Sequence, residues 1–408
     1  FPGRQGSSPI VPKRRSPWLP PFAPGSRRRG ARSKAMERFA TVEEELGQLL
    51  RPAGGGLYVV STGLAEQQLL QQQLYGAANP GEIDAAWRGA LARLRRAKVV
   101  ILGIPSDVGA GFRRGANGGP GALRRAWLAS RPDLLSRGDV VDVGDVFCVP
   151  QLLADDMLSA SQRDATAAAL YPTVAEPLRS RLPVAPLTIA ERVLDLIFSI
   201  APDIRPLILG GDHSVAWPVT TALHRHRHGD PFGIVQPDAH TDLLAERLGI
   251  KICFATWSFH ASVLLGGEGR LTQVGIRATR FPKEHWEKTT GVKQFWAQDV
   301  RDNPERSMRE ILEHVRKVAP GGVYLSNDID GTDAAFADAC GTPEGEGVSP
   351  DFFVEMIEEI SKNPGLIAGD LVEVAPALSA HPERTLATAV RYLDATLDGL
   401  LREFPKRP

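Results

Sequence analysis

Residues 232–242 read Phe232-Gly233-Ile234-Val235-Gln236-Pro237-Asp238-Ala239-His240-Thr241-Asp242, an apolar run that ends abruptly in two carboxylates and an imidazole. Residues at i, i+2 and i+4 of an extended segment share a face, so Asp238, His240 and Asp242 converge on one point. Two other stretches repeat the pattern. Pro206-Leu207-Ile208-Leu209 discharges into Gly210-Gly211-Asp212-His213-Ser214, and Gly322-Val323-Tyr324-Leu325 into Ser326-Asn327-Asp328-Ile329-Asp330-Gly331-Thr332-Asp333. Together His213, Asp238, His240, Asp242, Asp328 and Asp330 form the mixed nitrogen and oxygen set that manganese, nickel or zinc takes, with manganese or nickel preferred here. Six ligands for two ions require sharing, so at least two carboxylates are expected to bridge. Ions about 3.5–4 Å apart lower the pKa of a shared water toward neutrality and make it a nucleophile. Asp212 and Asp333 read as hydrogen-bonding supports, because neighbours at i and i+1 point apart.

Working outward, Lys98-Val99-Val100-Ile101-Leu102-Gly103-Ile104 is a buried strand closed by Pro105, and further strands are expected at 140–143, 206–209, 232–235, 272–276, 294–297, 322–325 and 366–374. Helical patterns separate them at 189–200, 217–228, 305–318 and 351–361, with a last helix at 386–402. Alternating elements with near-continuous apolar strands imply an α/β fold: three αβα layers around a mostly parallel sheet of about eight strands. In such sheets ligands bind beyond the carboxyl ends of the strands, where all three polar clusters fall. Residues 36–97 read as an N-terminal helical extension, 98–408 as the catalytic domain, and 146–187, with few strand signals, as an insertion over one edge.

Composition bounds the function. With 48 Lys/Arg against 48 Asp/Glu, no polyanion-binding surface is indicated, so nucleic acid is not an expected partner. No apolar stretch approaches the roughly 18 residues of a membrane span, so no membrane is expected either. Three scattered cysteines, Cys148, Cys253 and Cys340, fit a reducing cytoplasm better than a disulfide framework. Residues 1–35 differ from the rest, with nine Lys/Arg and no acid. Their Pro/Ser/Arg/Gly richness reads as a disordered basic tail or a non-native leader preceding Met36, with an organellar targeting segment as the alternative.

The chain resembles the ureohydrolases, the arginase and agmatinase family. The resemblance runs from Val99 to the end and is carried by Gly103-Ile104-Pro105-Ser106-Asp107, Gly115-Ala116-Asn117-Gly118-Gly119-Pro120, the three clusters above, Gln273-Val274-Gly275-Ile276-Arg277 and Asp370-Leu371-Val372-Glu373-Val374. It implies an arginase-like fold and two divalent transition-metal ions per chain. One ion would be held by His213, Asp238, Asp242 and Asp328, the other by Asp238, His240, Asp328 and Asp330, with Asp238 and Asp328 bridging. It further implies that Glu373 grips a guanidinium, that His260 shuttles protons, that Asp242 assists in stabilising the intermediate, and that the protein is a homo-oligomer, a trimer or hexamer.

Two segments depart from the family's usual pattern: His260-Ala261-Ser262-Val263, and Asp338-Ala339-Cys340-Gly341-Thr342-Pro343. Both belong to substrate-facing loops. Between Asp242 and His260 stand apolar Ile252, Cys253, Phe254 and Trp257 with Thr256, which suggests a small enclosed pocket in which Trp257 adds a cation–π contact and Thr256 a polar one. With the segment 253–260, this is most similar to nickel-dependent guanidine hydrolases, many of them labelled agmatinase. The expected activity is therefore cleavage of a guanidino C–N bond to give urea, with free guanidine as the first substrate. Agmatine or another ω-guanidino amine or acid is the alternative, and a catalytically silent relative the distant one.

Overall fold

The computed structural model describes residues 39–404 apart from 177, 228 and 230. The expectation for residues 1–35, and the last residue of the helix expected at 217–228, lie outside the described residues.

Nine strands form a single sheet: β1 (Leu50–Arg51), β2 (Val99–Ile104), β3 (Val140–Val146), β4 (Arg205–Gly210), β5 (Gly233–Pro237), β6 (Leu271–Ile276), β7 (Lys293–Trp296), β8 (Val323–Asp328) and β9 (Leu366–Val372). Their order is β1-β3-β2-β4-β9-β8-β5-β6-β7. Every pair is parallel except β1 with β3, where Leu50 lies opposite Val146. The ninth strand, β1, adds one to the eight ranges read from the sequence. It is a two-residue edge pairing directly after the helix Val42–Leu49, too short to carry any alternation.

Alternation on the strands builds two apolar faces. Val100, Leu102, Ile104, Val141 and Val143 pack on one side with the helices Pro186–Ile200 and Ala216–His226. Val99, Ile101, Leu207, Leu209 and Val235 pack on the other with Gly119–Ser130, Pro304–Val318, Pro350–Lys362 and Pro382–Leu401. Several helices start where the chain dictates. Asn79, Asn303 and Ser349 each accept a backbone N–H three residues on, and each precedes a proline, which suits the first helical position. In Pro304–Val318 the buried side is Met308, Ile311, Leu312 and Val315, spaced one helical turn apart.

The N-terminal extension is not a free-standing unit. Leu46, Leu49, Trp87, Leu91 and Leu94 belong to the first core cluster, and Trp87 Nε1 donates to the Val143 carbonyl at 2.8 Å. The segment expected as an insertion holds the helix Ala160–Leu170 and buries Tyr171, Leu182 and Val184 in that same cluster. Short helices at Trp257–Leu265, Lys283–Thr290 and Ala297–Asp302 were not legible as such. The first of them, Trp-Ser-Phe-His-Ala-Ser-Val-Leu-Leu, is apolar nearly all round and offers no periodic contrast. Among the described residues no helix is long and apolar enough to cross a membrane. All three cysteines are free and buried.

Candidate metal centre

The four central strands β4, β9, β8 and β5 are neighbours, and each delivers site residues as the chain leaves its carboxyl end. Val235 of β5 lies opposite Leu325 of β8, so three residues further on Asp238 and Asp328 emerge level with each other. His213 follows β4 across Gly210-Gly211, and Glu373 follows β9 directly. Two glycines are required by space. A Cβ on Gly211 would sit 1.8 Å from the Ser106 carbonyl oxygen, and one on Gly331 would sit 2.6 Å from the Asp238 nitrogen.

His213 Nδ1 faces three carboxylate oxygens: Asp328 Oδ2 at 3.1 Å, Asp238 Oδ2 at 3.2 Å and Asp242 Oδ2 at 3.3 Å. None of these approaches has hydrogen-bond geometry, so Nδ1 is buried without a hydrogen-bond partner. The other ring nitrogen, Nε2, meets Ser326 Oγ at 3.1 Å, which leaves the lone pair on Nδ1 pointing at the carboxylates. Ligands at about 2.0–2.2 Å from a common ion stand about 3 to 3.5 Å from one another, the spacing found here. His240 Nδ1 lies 3.1 Å from Asp330 Oδ2 and 3.7 Å from Asp238 Oδ1. Two ligand groups result, His213 with Asp238 and Asp328, and His240 with Asp238 and Asp330, fused at Asp238.

These groups hold five of the six expected ligands. Asp328 Oδ2 turns toward His213, and its Oδ1 accepts the Asp330 backbone N–H at 2.9 Å. Asp242 joins the first group through His213.

The crowding has an electrostatic signature. Burial, then the neighbouring Asp242 and Asp330, lift the Asp238 carboxyl to about 7. Burial and the charges of Asp330 and Asp238 push Asp328 well above its usual range. Burial opposes charge on His240, but Asp330 and Asp238 raise it to about 11. Four carboxylates against two imidazoles leave an excess of negative charge in a largely buried site, an arrangement that a divalent cation would neutralise.

Asp242 and Glu373 share a further feature, left-handed backbones at φ 52° and 62° in residues that are not glycine. Such conformations cost of order 1–3 kcal/mol and persist where the surroundings hold them. Glu373 is buried, its Oε1 accepts the His213 N–H at 2.9 Å, and its own N–H donates to the Gly211 carbonyl at 2.8 Å. Burial and nearby Asp212 raise its carboxyl well above the ordinary range. His260 stands apart, half-buried on the helix Trp257–Leu265, with Nε2 against the Ala245 carbonyl at 2.9 Å and ring contacts to Trp217 and Phe259. None of these contacts is to a candidate ligand, and burial lowers its pKa.

Trp257 and Thr256 do not line an open pocket: both are 0% exposed. Trp257 Nε1 donates to Asp242 Oδ2 at 3.1 Å while its ring lies 4.6 Å from that of His213, so it braces two ligands rather than offering a face to a cation. Thr256 Oγ1 accepts the Cys253 N–H at 2.8 Å and ties the turn that starts the helix. Asp212 accepts from Ser214 N and Gly109 N, and Asp333 from Ala335 N and Gly347 N, both as supports of loop backbone.

Several supporting residues were not singled out from the sequence. Asp370 collects Ser326 Oγ, the Asn327 N–H and the Tyr324 hydroxyl. Thr342 Oγ1 donates to Asp330 Oδ2 at 3.0 Å, and Glu344 Oε1 lies 3.7 Å from His240 Nε2. Arg277 gathers backbone carbonyls of Gly275, Asp330, Gly331, Thr332, Glu344 and Gly345 and so fixes the loop after β8. Asp370 and Arg277 lie inside the quoted motifs, and period-two alternation from the ligands was the signal that could have found Gln236 and Ser326.

Fold and site together define an αβα protein with two Asp/His ligand groups fused at the carboxyl edge of a parallel sheet. The family model described as the arginase family matches residues 97–397. The chain is 30% identical over 362 residues to the guanidinobutyrase of Pseudomonas aeruginosa, covering 87% of this chain and 98% of that one. It is 30% identical over 322 residues to the agmatinase of Halalkalibacterium halodurans, covering 78% and 98%. The crystal structure of agmatine ureohydrolase from Thermoplasma volcanium superposes with a TM-score of 0.55 at 25% identity, covering 74% of this chain and 91% of that one. The chain belongs to the arginase family.

Proposed function

We propose that the chain hydrolyses the guanidino group of a small cation, releasing urea, and that its substrate is an ω-guanidino amine or acid. The observation that carries this is the pair of ligand groups fused at Asp238, with the buried carboxylate of Glu373 braced beside them. The substrate class follows the relatives, named for guanidinobutyrate and agmatine, in preference to the free guanidine that the sequence first suggested. A pair of divalent ions, manganese or nickel, held by His213, Asp238, Asp242 and Asp328 and by Asp238, His240 and Asp330, would supply Lewis acidity and lower the pKa of water toward neutrality.

The chain's own residues do the rest. Glu373 Oε1 is held by the His213 N–H, which leaves Oε2 to receive the planar guanidinium. Asp242, steadied by Trp257, assists in stabilising the intermediate. Water adds to the guanidino carbon, the C–N bond to the alkyl chain breaks, and the leaving nitrogen takes up a proton, giving urea and an alkylammonium. His260, half-buried and next to the loop 243–251, exchanges the proton with solvent.

One observation favours free guanidine as a second reading. The Phe254 N–H donates to the Gly109 carbonyl at 3.1 Å, and its ring lies 3.4 Å from where a Gly111 Cβ would stand, so the loop 252–256 folds down on the loop after β2. A narrow mouth suits a cation without a tail. Urea release from guanidinobutyrate, agmatine, guanidine and arginine by the metal-loaded protein tests both readings. Turnover confined to guanidine would replace the first reading by the second, and no urea from any substrate would leave a silent family member.

A further inference from the structure

Three glutamines stand side by side on the three strands at one end of the sheet. Gln236 of β5 is in register with Gln273 of β6, and Gln273 with Gln294 of β7. All three are 0% exposed. One row below on the same face the register pairs Ile234 with Leu271, both apolar members of the core. A dry row of amides is costly unless every group is partnered, and apolar residues would serve the fold better.

The row is fully connected, and in one direction. Trp296 Nε1 donates to Gln294 Oε1 at 3.0 Å, Gln294 Nε2 to Gln273 Oε1 at 2.8 Å, Gln273 Nε2 to Gln236 Oε1 at 3.0 Å, and Gln236 Nε2 to Asp238 Oδ2 at 2.7 Å. An indole N–H can only donate and a carboxylate only accept, so the two ends impose the same polarity on the three amides between them. Two branches lock it: Ser258 Oγ donates to Gln236 Oε1 at 2.8 Å, and Gln273 Nε2 donates to the Thr241 carbonyl at 2.6 Å. The second branch holds the backbone between His240 and Asp242.

We propose that this amide ladder is a positioning device for Asp238, the one carboxylate common to both ligand groups, and that Gln236, Gln273 and Gln294 set metal affinity from across the sheet. The inference rests on the reading of the site as a metal centre. Asp238 accepts its N–H at a fixed oxygen and presents a defined orientation to both groups, while reversal of Gln236 would turn a carbonyl toward the carboxylate and reversal of Gln273 or Gln294 would set carbonyl against carbonyl within the row.

The experiment titrates manganese(II) into the metal-stripped full chain, following the free ion by electron paramagnetic resonance, and records the melting temperature of each metal-free variant. Gln236→Met and Gln273→Met should weaken binding by about 10- to 100-fold, the usual effect of removing a ligand's hydrogen-bonding partner. Gln294→Glu replaces a donor by an acceptor that opposes Gln273 Oε1, and Trp296→Phe removes the donor at the half-buried far end. Both should weaken binding measurably but less. A merely structural row would lower the metal-free melting temperature and leave manganese affinity untouched, which overturns the proposal while the metal centre stands. Wild-type protein that takes up no manganese overturns both. Should Gln236→Met or Gln273→Met fail to fold, the Gln294→Glu and Trp296→Phe titrations decide alone.

Discussion

Trp257 is enclosed at the meeting point of two candidate ligands, and Trp257→Phe removes one N–H from that place while keeping an aromatic ring over His213. Asp242 loses the donor 3.1 Å from its Oδ2. A hydrogen bond to a charged acceptor is worth about 1.5–3 kcal/mol. The space left by the missing half of the indole adds of order 1 kcal/mol to the cost in folding stability, at about 24 cal/mol per Å3 of residual cavity. If the bond serves the reacting geometry, its loss appears in kcat/KM as about a 10- to 150-fold fall, at 1.36 kcal/mol per decade. Asp242 has a left-handed backbone that must be held in place, so the affinity of the His213 group for its ion should fall as well. Steady-state urea release and manganese titration measure the two effects separately. An unchanged kcat/KM together with an unchanged metal affinity would refute the bracing role and return Trp257 to the status of core filler.

Asp238→Asn should eliminate both bound ions, because Asp238 belongs to both groups, whereas His240→Ala should spare the ion of the His213 group; metal analysis after dialysis separates the two. Gly211→Ala places a methyl 1.8 Å from the Ser106 carbonyl, so the turn carrying His213 must move, and the variant should lose activity and melt lower. Arg124, paired with Asp142 at 2.8 and 3.0 Å and with Asp145 at 2.5 Å, leaves the buried Asp145 and the partly buried Asp142 without their cation when changed to Leu, at a cost of about 3–5 kcal/mol. Because Asp145 Oδ2 also accepts the Gly54 and Gly56 N–H groups, hydrogen exchange at those two amides should accelerate in Arg124→Leu ahead of the rest of the sheet.

The parts of the fold with a strong local signal were legible. Strands such as β2, Val-Val-Ile-Leu-Gly-Ile, are near-continuous apolar runs, and the long helices carry a one-sided stripe of the kind seen at Met308, Ile311, Leu312 and Val315. Five of the six expected ligands come together in the two groups, but strict alternation is not what places them: the chain leaves β5 at Pro237, bends at Ala239 and His240, and turns left-handed at Asp242. What stayed hidden depends on contacts between distant segments. The edge strand β1 is two residues long. The helix Trp257–Leu265 is apolar on all sides, and its burial alone turns Trp257 from a pocket wall into a brace. The backbone N–H of Asp330 that Asp328 accepts is a contact no spacing rule reports. The amide ladder needed the register of three strands that lie far apart in sequence.

The most direct measurement follows bound manganese or nickel and urea production together as metal is returned to stripped protein in the presence of guanidinobutyrate or agmatine. The account predicts no turnover without metal, and a rate that rises with occupancy of the His213 and His240 groups and levels off when both are filled. Full urea production by the metal-free protein, or both groups filled with no urea formed from any guanidino compound, would contradict it.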